Sequence, residues 1–157
     1  MNETIEIRYL ADCPEVIPAL ASWTFEQWGQ QYKMESIRVQ LELFANRVNR
    51  DKIPLSLVAF LDTQPVGTAS LKVREMTTHT HLPYWLGAVF VVEKFRNRGI
   101  GTELISRATD KARHLGVETL YLHTPDKAGL YLRLGWEKIE RTVYYDHEVV
   151  IMKKELT

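Results

Sequence analysis

The chain has 157 residues, 45% of them apolar and 25% charged, and its 20 Lys+Arg are balanced by 20 Asp+Glu. That length suits one domain over residues 1–157 with a proper core, and the zero net charge gives no pull toward nucleic acid or an anionic membrane. The single cysteine, Cys13, excludes an intrachain disulfide and a cysteine-based zinc site, and no apolar run reaches membrane-spanning length.

The opening segment, MNETIEIRYL, lacks a basic stretch followed by an apolar one, so it does not read as a signal peptide and a cytoplasmic protein is expected. Residues 4–10 (TIEIRYL) alternate and are rich in strand formers, which predicts a first strand. Asp12 follows as a helix N-cap, with Pro14 in the first turn and Glu15 at capping-box spacing. Val16, Ile17, Leu20, Trp23 and Trp28 continue at roughly helical spacing. Met34, Ile37, Leu41, Phe44 and Val48 recur every three or four residues, which predicts a second amphipathic helix, ended by DKIP at 51–54. Residues 55–62 (LSLVAFLD) read as a buried strand, DTQP makes a turn, and residues 66–73 (VGTASLKV) return as the next strand. Residues 74–83 are polar and turn-rich, a long loop. Residues 84–92 (YWLGAVFVV) are apolar on both faces and predict a central strand. A helix over 99–114 carries the stripe Ile100, Leu104, Ile105, Ala108, Ala112 and Leu115, stopped by Gly116. Residues 117–124 (VETLYLHT) give a fifth strand, and 125–135 (PDKAGLYLRLG) a short helix between Pro and Gly. WEKIERTVYY and EVVIMKKEL form two strands around a hairpin turn at Asp146-His147. The order β-α-α-β-β-β-α-β-α-β-β predicts an α+β protein: a mixed, mostly antiparallel sheet of about seven strands, flanked by about four helices. The crossover between the fourth and fifth strands makes that pair parallel.

RNRGIG, residues 96–101, lies between the fourth strand and its helix. A dinucleotide fingerprint needs a third glycine where Leu104 stands, and a P-loop needs Gly-Lys-Ser/Thr, which is absent. What remains is Arg-x-x-Gly-x-Gly, filled by Arg96, Gly99 and Gly101. Glycines let backbone N–H groups turn toward one point at a helix N-terminus, which suits an anion, and Arg96 and Arg98 can add charge-assisted bonds. A plain glycine turn with solvated arginines is the competing reading of the hexapeptide alone.

VVEKFRNRGIGTELI, the element order and LYLRLGWE at 130–137 together resemble the GCN5-related N-acetyltransferase (GNAT) superfamily. The resemblance covers roughly residues 55–154; the two N-terminal helices match in placement only. It implies the GNAT fold, with the parallel fourth and fifth strands splayed apart, and an acetyl-CoA site. The backbone N–H groups of Asn97, Arg98, Gly99, Ile100, Gly101 and Thr102 would hold the CoA pyrophosphate. The backbone of Val89, Phe90 and Val91 would pair with the pantetheine arm. Thr124 stands where many members have Asn and can still hydrogen-bond that arm. Tyr131 matches the family tyrosine, whose implied role is to protonate the departing thiolate or to hydrogen-bond it.

The amine must be neutral to attack. A lysine-type amine, with a pKa of about 10.4, needs more help than an α-amine at about 7.7–8.0. Candidate bases are Glu75, His79 and His81 in the loop before the fourth strand, and His123 at the end of the fifth. His123 is placed toward the splayed gap, and histidine suits neutral pH. His79-Thr80-His81 has no accompanying zinc partners, so no metal is expected. Trp23, Phe25, Trp28, Tyr32, Tyr84, Trp85, Tyr144 and Tyr145 are candidates to line an acceptor pocket, although aromatic stripes are more often core. Asp146 and His147 either touch a cationic amine or form a plain turn. Cys13 lies far in sequence from the motif, against a covalent acetyl-cysteine route. The expected activity is transfer of acetyl from acetyl-CoA to a primary amine, small-molecule or peptide, by direct attack through a tetrahedral intermediate. The alternative is a non-catalytic acyl-CoA sensor on the same fold; a nucleic-acid module is disfavoured by the charge balance. Homodimers are common in the family, and nothing in the sequence fixes that state or names the amine.

Overall fold

The computed structural model describes residues 4–157, so the first three residues of the segment read above for a signal peptide lie outside it. The chain runs β1 (Ile5–Tyr9), 3-10 turns at Leu10–Asp12 and Pro14–Val16, α1 (Ile17–Trp28), α2 (Ile37–Ala45), β2 (Leu55–Leu61), β3 (Gln64–Val73) and β4 (Tyr84–Val91). A 3-10 turn at Glu93–Phe95 leads to α3 (Ile100–His114), β5 (Thr119–Thr124), α4 (Ala128–Arg133), β6 (Glu137–Tyr144) and β7 (His147–Glu155). The strands form one seven-stranded sheet in the order β1-β2-β3-β4-β5-β7-β6. Every neighbouring pair is antiparallel except β4 with β5. Among the described residues, no helix is long and apolar enough to cross a membrane.

Helices cover both faces of this sheet, and the strand compositions follow from that. All seven residues of β2 are buried. Leu55, Leu57, Ala59 and Leu61 pack into the cluster that contains α3, whereas Val58 and Phe60 pack with Leu20, Ala21 and Phe44 of α1 and α2. The apolar stripe of α3 is buried as its spacing predicts. Each such side chain contributes about 1.5–3 kcal/mol on leaving water.

A bulge in β4 shapes the middle of the sheet. Ser70 pairs with Gly87 and Thr68 with Phe90, so Ala69 of β3 faces both Ala88 and Val89. Ala88 takes a left-handed φ of 50°. A bulge bends its strand and increases its twist. β5, by contrast, is held straight along its length by β7, from Thr119↔Glu155 to Thr124↔Val150. The bent strand and the held strand pair only at Trp85↔Tyr121 and separate beyond it. The splay therefore opens at the C-terminal ends of β4 and β5.

Three local expectations are corrected. Asp12 does not cap α1; it closes a 3-10 turn and pairs with Arg50, and α1 begins at Ile17 without a side-chain cap. The short helix starts at Ala128 rather than Pro125, because the Lys127 N–H donates to Thr124 Oγ1 at 2.9 Å and closes a separate turn first. The last hairpin turns at Tyr145 and Asp146, whose φ values are 51° and 62°, and His147 already belongs to β7 opposite Tyr144. Positive φ at both central residues gives the twist that a two-residue hairpin needs.

Leu104 is fully buried between α3 and the sheet. Leu104→Ala is expected to cost about 2–5 kcal/mol, read as a Tm lower by roughly 2–4 °C for each kcal/mol.

Candidate active site around the parted strands

The turn before α3 forms a cradle of backbone N–H groups. Gly99 sits at φ 84° as the residue before the helix, a left-handed conformation that favours glycine. The Glu103 N–H donates to the Gly99 carbonyl at 3.0 Å and is the first donor of the helix ladder. The N–H groups of Ile100, Gly101 and Thr102 thus have no intrahelical acceptor and carry the positive end of a 15-residue helix. Asn97, at φ 65°, turns the chain into this loop. Arg96 is used structurally: its Nε donates to the Val91 carbonyl at 2.8 Å, and its guanidinium lies 5.3 Å from the Phe90 ring centre. The Arg98 guanidinium lies over Phe95 at 5.5 Å.

Val89, Phe90 and Val91 lie past the last β4–β5 pair. The Val92 N–H is spent on the Val66 carbonyl on the β3 side. Alternation along the strand therefore turns the Val91 N–H toward the edge that β5 has left. The side chains divide by face: Val89 and Val91 pack into the α3 cluster, while Trp23 stacks on Phe90 at 5.6 Å and Trp28 meets its edge at 6.3 Å.

Thr124 and Tyr131 follow at the end of β5. Thr124 is buried, and its hydroxyl accepts from Lys127 while keeping its own proton to donate. Tyr131 is 8% exposed, meets Trp136 edge-on at 5.8 Å, and has its phenol pushed up to about 12 by burial.

On the other face, under α1 and α2, the sheet carries a cluster of polar side chains. Register aligns Ser56, Ser70 and Gly87 across three strands, and the two serine Oγ atoms are 2.6 Å apart. Lys72 Nζ and Glu75 Oε2 pair at 2.7 Å above this row, with their side chains 18% and 20% exposed. A Cβ on Gly87 would come within 2.5 Å of Glu75 Oε2 and 3.1 Å of Lys72 Cε, so glycine is what lets the pair lie on the sheet. Arg47, only 5% exposed, stacks on Phe44 at 4.7 Å, and its Nη1 is buried without a hydrogen-bond partner among the described residues. His123 projects from β5 between Tyr32, Trp85 and Tyr144, at ring distances of 6.0, 6.1 and 5.7 Å. Its Nδ1 is likewise buried and unpartnered.

The titration of these groups follows from burial and from each other. Burial pulls the Arg47 guanidinium down to about 10, against Glu75, which leaves it charged at neutral pH. Burial lowers the Lys72 ammonium, with Arg47 adding to the effect and Glu75 opposing it. Burial pushes the Glu75 carboxyl up, but Lys72, His123 and Arg47 together outweigh it and hold the group below the usual carboxylate range. Burial lowers the His123 imidazole, Glu75 opposes and Lys72 assists, so the ring is neutral at pH 7.

The other sequence candidates lie elsewhere. His79 bonds Glu140 of β6 at 3.1 Å and Thr78 at 2.8 Å, and stacks on the exposed His81 at 5.9 Å, so neither histidine enters the gap. Trp85 is core. Tyr84 is exposed at the opposite end of β4, beside the surface groove of Asp51 and Leu115. Tyr32, pushed up to about 12 by burial, joins Tyr144 and Tyr145 above His123. Asp146 pairs with Lys33 at 3.2 Å, which ties the last hairpin to the α1–α2 connection. Cys13 is buried in the α1 cluster, with its thiol pushed up by burial. Arg47 and Lys72 were missed by the sequence reading. The signals were an alternating Thr68, Ser70, Lys72 on an otherwise apolar strand, and a helix that ends at Ala45, which brings Arg47 rather than Val48 inward.

The profile of the Acetyltransferase (GNAT) family matches residues 17–136, a span that takes in the cradle, the parted strands and Tyr131. No curated protein sequence matches the chain. Among solved structures, aminoglycoside 6'-acetyltransferase type Ii is similar, with 18% identity, a TM-score of 0.74 and 97% of each chain covered. Aminoglycoside 6'-N-acetyltransferase complexed with coenzyme A has 17% identity and a TM-score of 0.73, again over 97% of each chain. An acyl-CoA N-acyltransferase from Pseudomonas aeruginosa has 18% identity and a TM-score of 0.69, over 98% of this chain and 99% of the other. At these identities the likeness is one of fold; the family profile, which spans well over half of the sequence, goes further, and the chain belongs to the GNAT acetyltransferase family.

Proposed function

We propose that the protein is an acetyl-CoA-dependent N-acetyltransferase that acts on a primary amine by direct attack through a tetrahedral intermediate. The observation that carries this reading is the gap beyond Trp85↔Tyr121, with a cradle of helix-terminal N–H groups and a free strand edge on one side and an imidazole whose Nδ1 is buried and unpartnered on the other. The coenzyme A complex of a protein with a similar fold supports the choice of donor. The residues fit it: the cradle from Asn97 to Thr102, with Arg98, suits a pyrophosphate, and the edge at Val89 to Val91, with Thr124 opposite, suits an amide-bearing arm. Acetyl-CoA supplies the acyl group activated as a thioester.

The amine nitrogen forms the new C–N bond, the C–S bond breaks, and the amine proton goes to His123. Burial keeps His123 neutral and able to accept that proton, and Glu75 stabilises the imidazolium as it forms. Glu75 itself is held ionised by Lys72 at 2.7 Å and is too weak a base for the task. The thiolate leaves toward Tyr131. A phenol near 12 does not surrender its proton to a thiol whose pKa is about 8.5, so Tyr131 serves as a hydrogen-bond donor to the leaving sulfur. The buried Cys13 lends no support to a covalent route.

Gly101→Asp is expected to raise the KM for acetyl-CoA by roughly tenfold or more, the loss of a charge-assisted contact. A Cβ there meets only Val91 Cγ2 at 3.7 Å, so Gly101→Ala should keep the fold. An acid at a helix N-terminus is itself stabilising by about 0.3–1 kcal/mol, so unfolding cannot explain the loss; an unchanged KM removes the cradle from the proposal. His123→Gln is expected to lower kcat by about 10²–10⁴. In the wild type, kcat should fall with pH below 6.5, the ordinary histidine value, because His123 must be neutral and its pKa lies lower. Glu75→Gln should move that limb to still lower pH. Tyr131→Phe should reduce kcat by about tenfold or more while the KM for acetyl-CoA changes far less. CoA binding without thiol release across an amine panel would mean a sensor instead.

A further inference from the structure

The row of Ser56, Ser70 and Gly87 lies under a buried polar cluster of Arg47, Lys72, Glu75 and His123. Lys72 and Glu75 satisfy each other at 2.7 Å. Arg47 is left over. It acts electrostatically on both members of that pair, is 5% exposed, and holds a buried donor with no partner. A guanidinium in this state is costly, since a buried donor with no partner forfeits its hydration. Arginine's planar fork matches a carboxylate in a bidentate pair. The cluster lies on the face that also carries His123, the proposed base, so a group bound there belongs to the acceptor rather than to the CoA arm.

We infer that the acceptor is an amino acid, whose carboxylate Arg47 binds through its unpartnered Nη1 while its amine faces the gap. The inference rests on the N-acetyltransferase reading above and narrows it. It departs from the aminoglycoside enzymes of similar fold: a polycationic sugar brought beside Arg47 and Lys72 would meet like charge.

The test measures CoA thiol release by the purified protein with L-amino acids, each paired with its carboxamide, and with spermidine and kanamycin. The wild type is expected to prefer free carboxylates over carboxamides by roughly tenfold or more in kcat/KM. Arg47→Met should collapse that ratio toward one, and Arg47→Lys should restore part of it. The Tm of Arg47→Met should equal or exceed that of the wild type, because a buried donor with no partner has gone. A lower Tm with equal losses on both members of each pair would make Arg47 merely structural and overturn the inference. Turnover of spermidine, kanamycin or carboxamides with carboxylates unreactive would overturn it while leaving the N-acetyltransferase reading intact. If no amine releases thiol although CoA binds, that reading fails instead. A thermal shift with L-amino acids in the wild type, absent in Arg47→Met, would then still support the carboxylate site, and no shift would overturn it.

Discussion

The parting of β4 from β5 is the constraint on which the rest of this molecule depends. Two parallel strands would ordinarily pair along their length, because unpaired backbone groups inside a sheet are costly. Here one extra residue at Ala88 bends β4, while β7 holds β5 straight, so a single pair at Trp85↔Tyr121 survives. The result is a slot in the middle of the sheet with backbone donors on its rim. Both faces of the slot are already walled by helices, so whatever enters is removed from bulk water.

The two faces differ in chemistry, and the difference begins with side-chain alternation. Residues of β2, β3 and β4 that point toward α3 are leucine, valine and alanine. Those that point toward α1 and α2 include Ser56, Thr68, Ser70, Lys72 and Gly87. Small polar residues on that side leave room for Arg47, Glu75 and His123 to come together. The α3 side ends in helix-terminal N–H groups and Tyr131, and the opposite side concentrates titratable groups. On the proposed reading the first receives the phosphate and the leaving sulfur, the second receives the amine, and the slot joins the two.

Stability and function pull against each other at Arg47. A well-packed apolar side chain would suit its position against Phe44 better than a buried guanidinium whose Nη1 has no hydrogen-bond partner. The fold tolerates it because the Lys72–Glu75 pair, the serine row and the glycine at 87 supply a polar surround. Retaining such a charge is understandable where a ligand of opposite sign completes it. Tyr144 and Asp146 close the same region from above, through Thr77 and Lys33, so the last hairpin, the β3–β4 loop and the α1–α2 connection meet over His123.

Sequence by itself determined the element order, the central placement of β4, the crossover that makes one parallel pair, and the cradle at RNRGIG. These are local properties: periodicity, glycine at a left-handed turn, and an apolar stripe on one helix face. It also marked His123 by its place at the end of a strand. It erred at Asp12, Pro125 and the hairpin turn, where competing local hydrogen bonds shift a boundary by a few residues. It chose Val48 over Arg47 because periodicity cannot tell where a helix will stop, and α2 ends at Ala45. Only the tertiary structure decided that Arg47, Lys72, Glu75 and His123 share one buried space. They come from a helix end, a strand, a loop and a second strand, and their charges acquire meaning only when the sheet register sets them side by side.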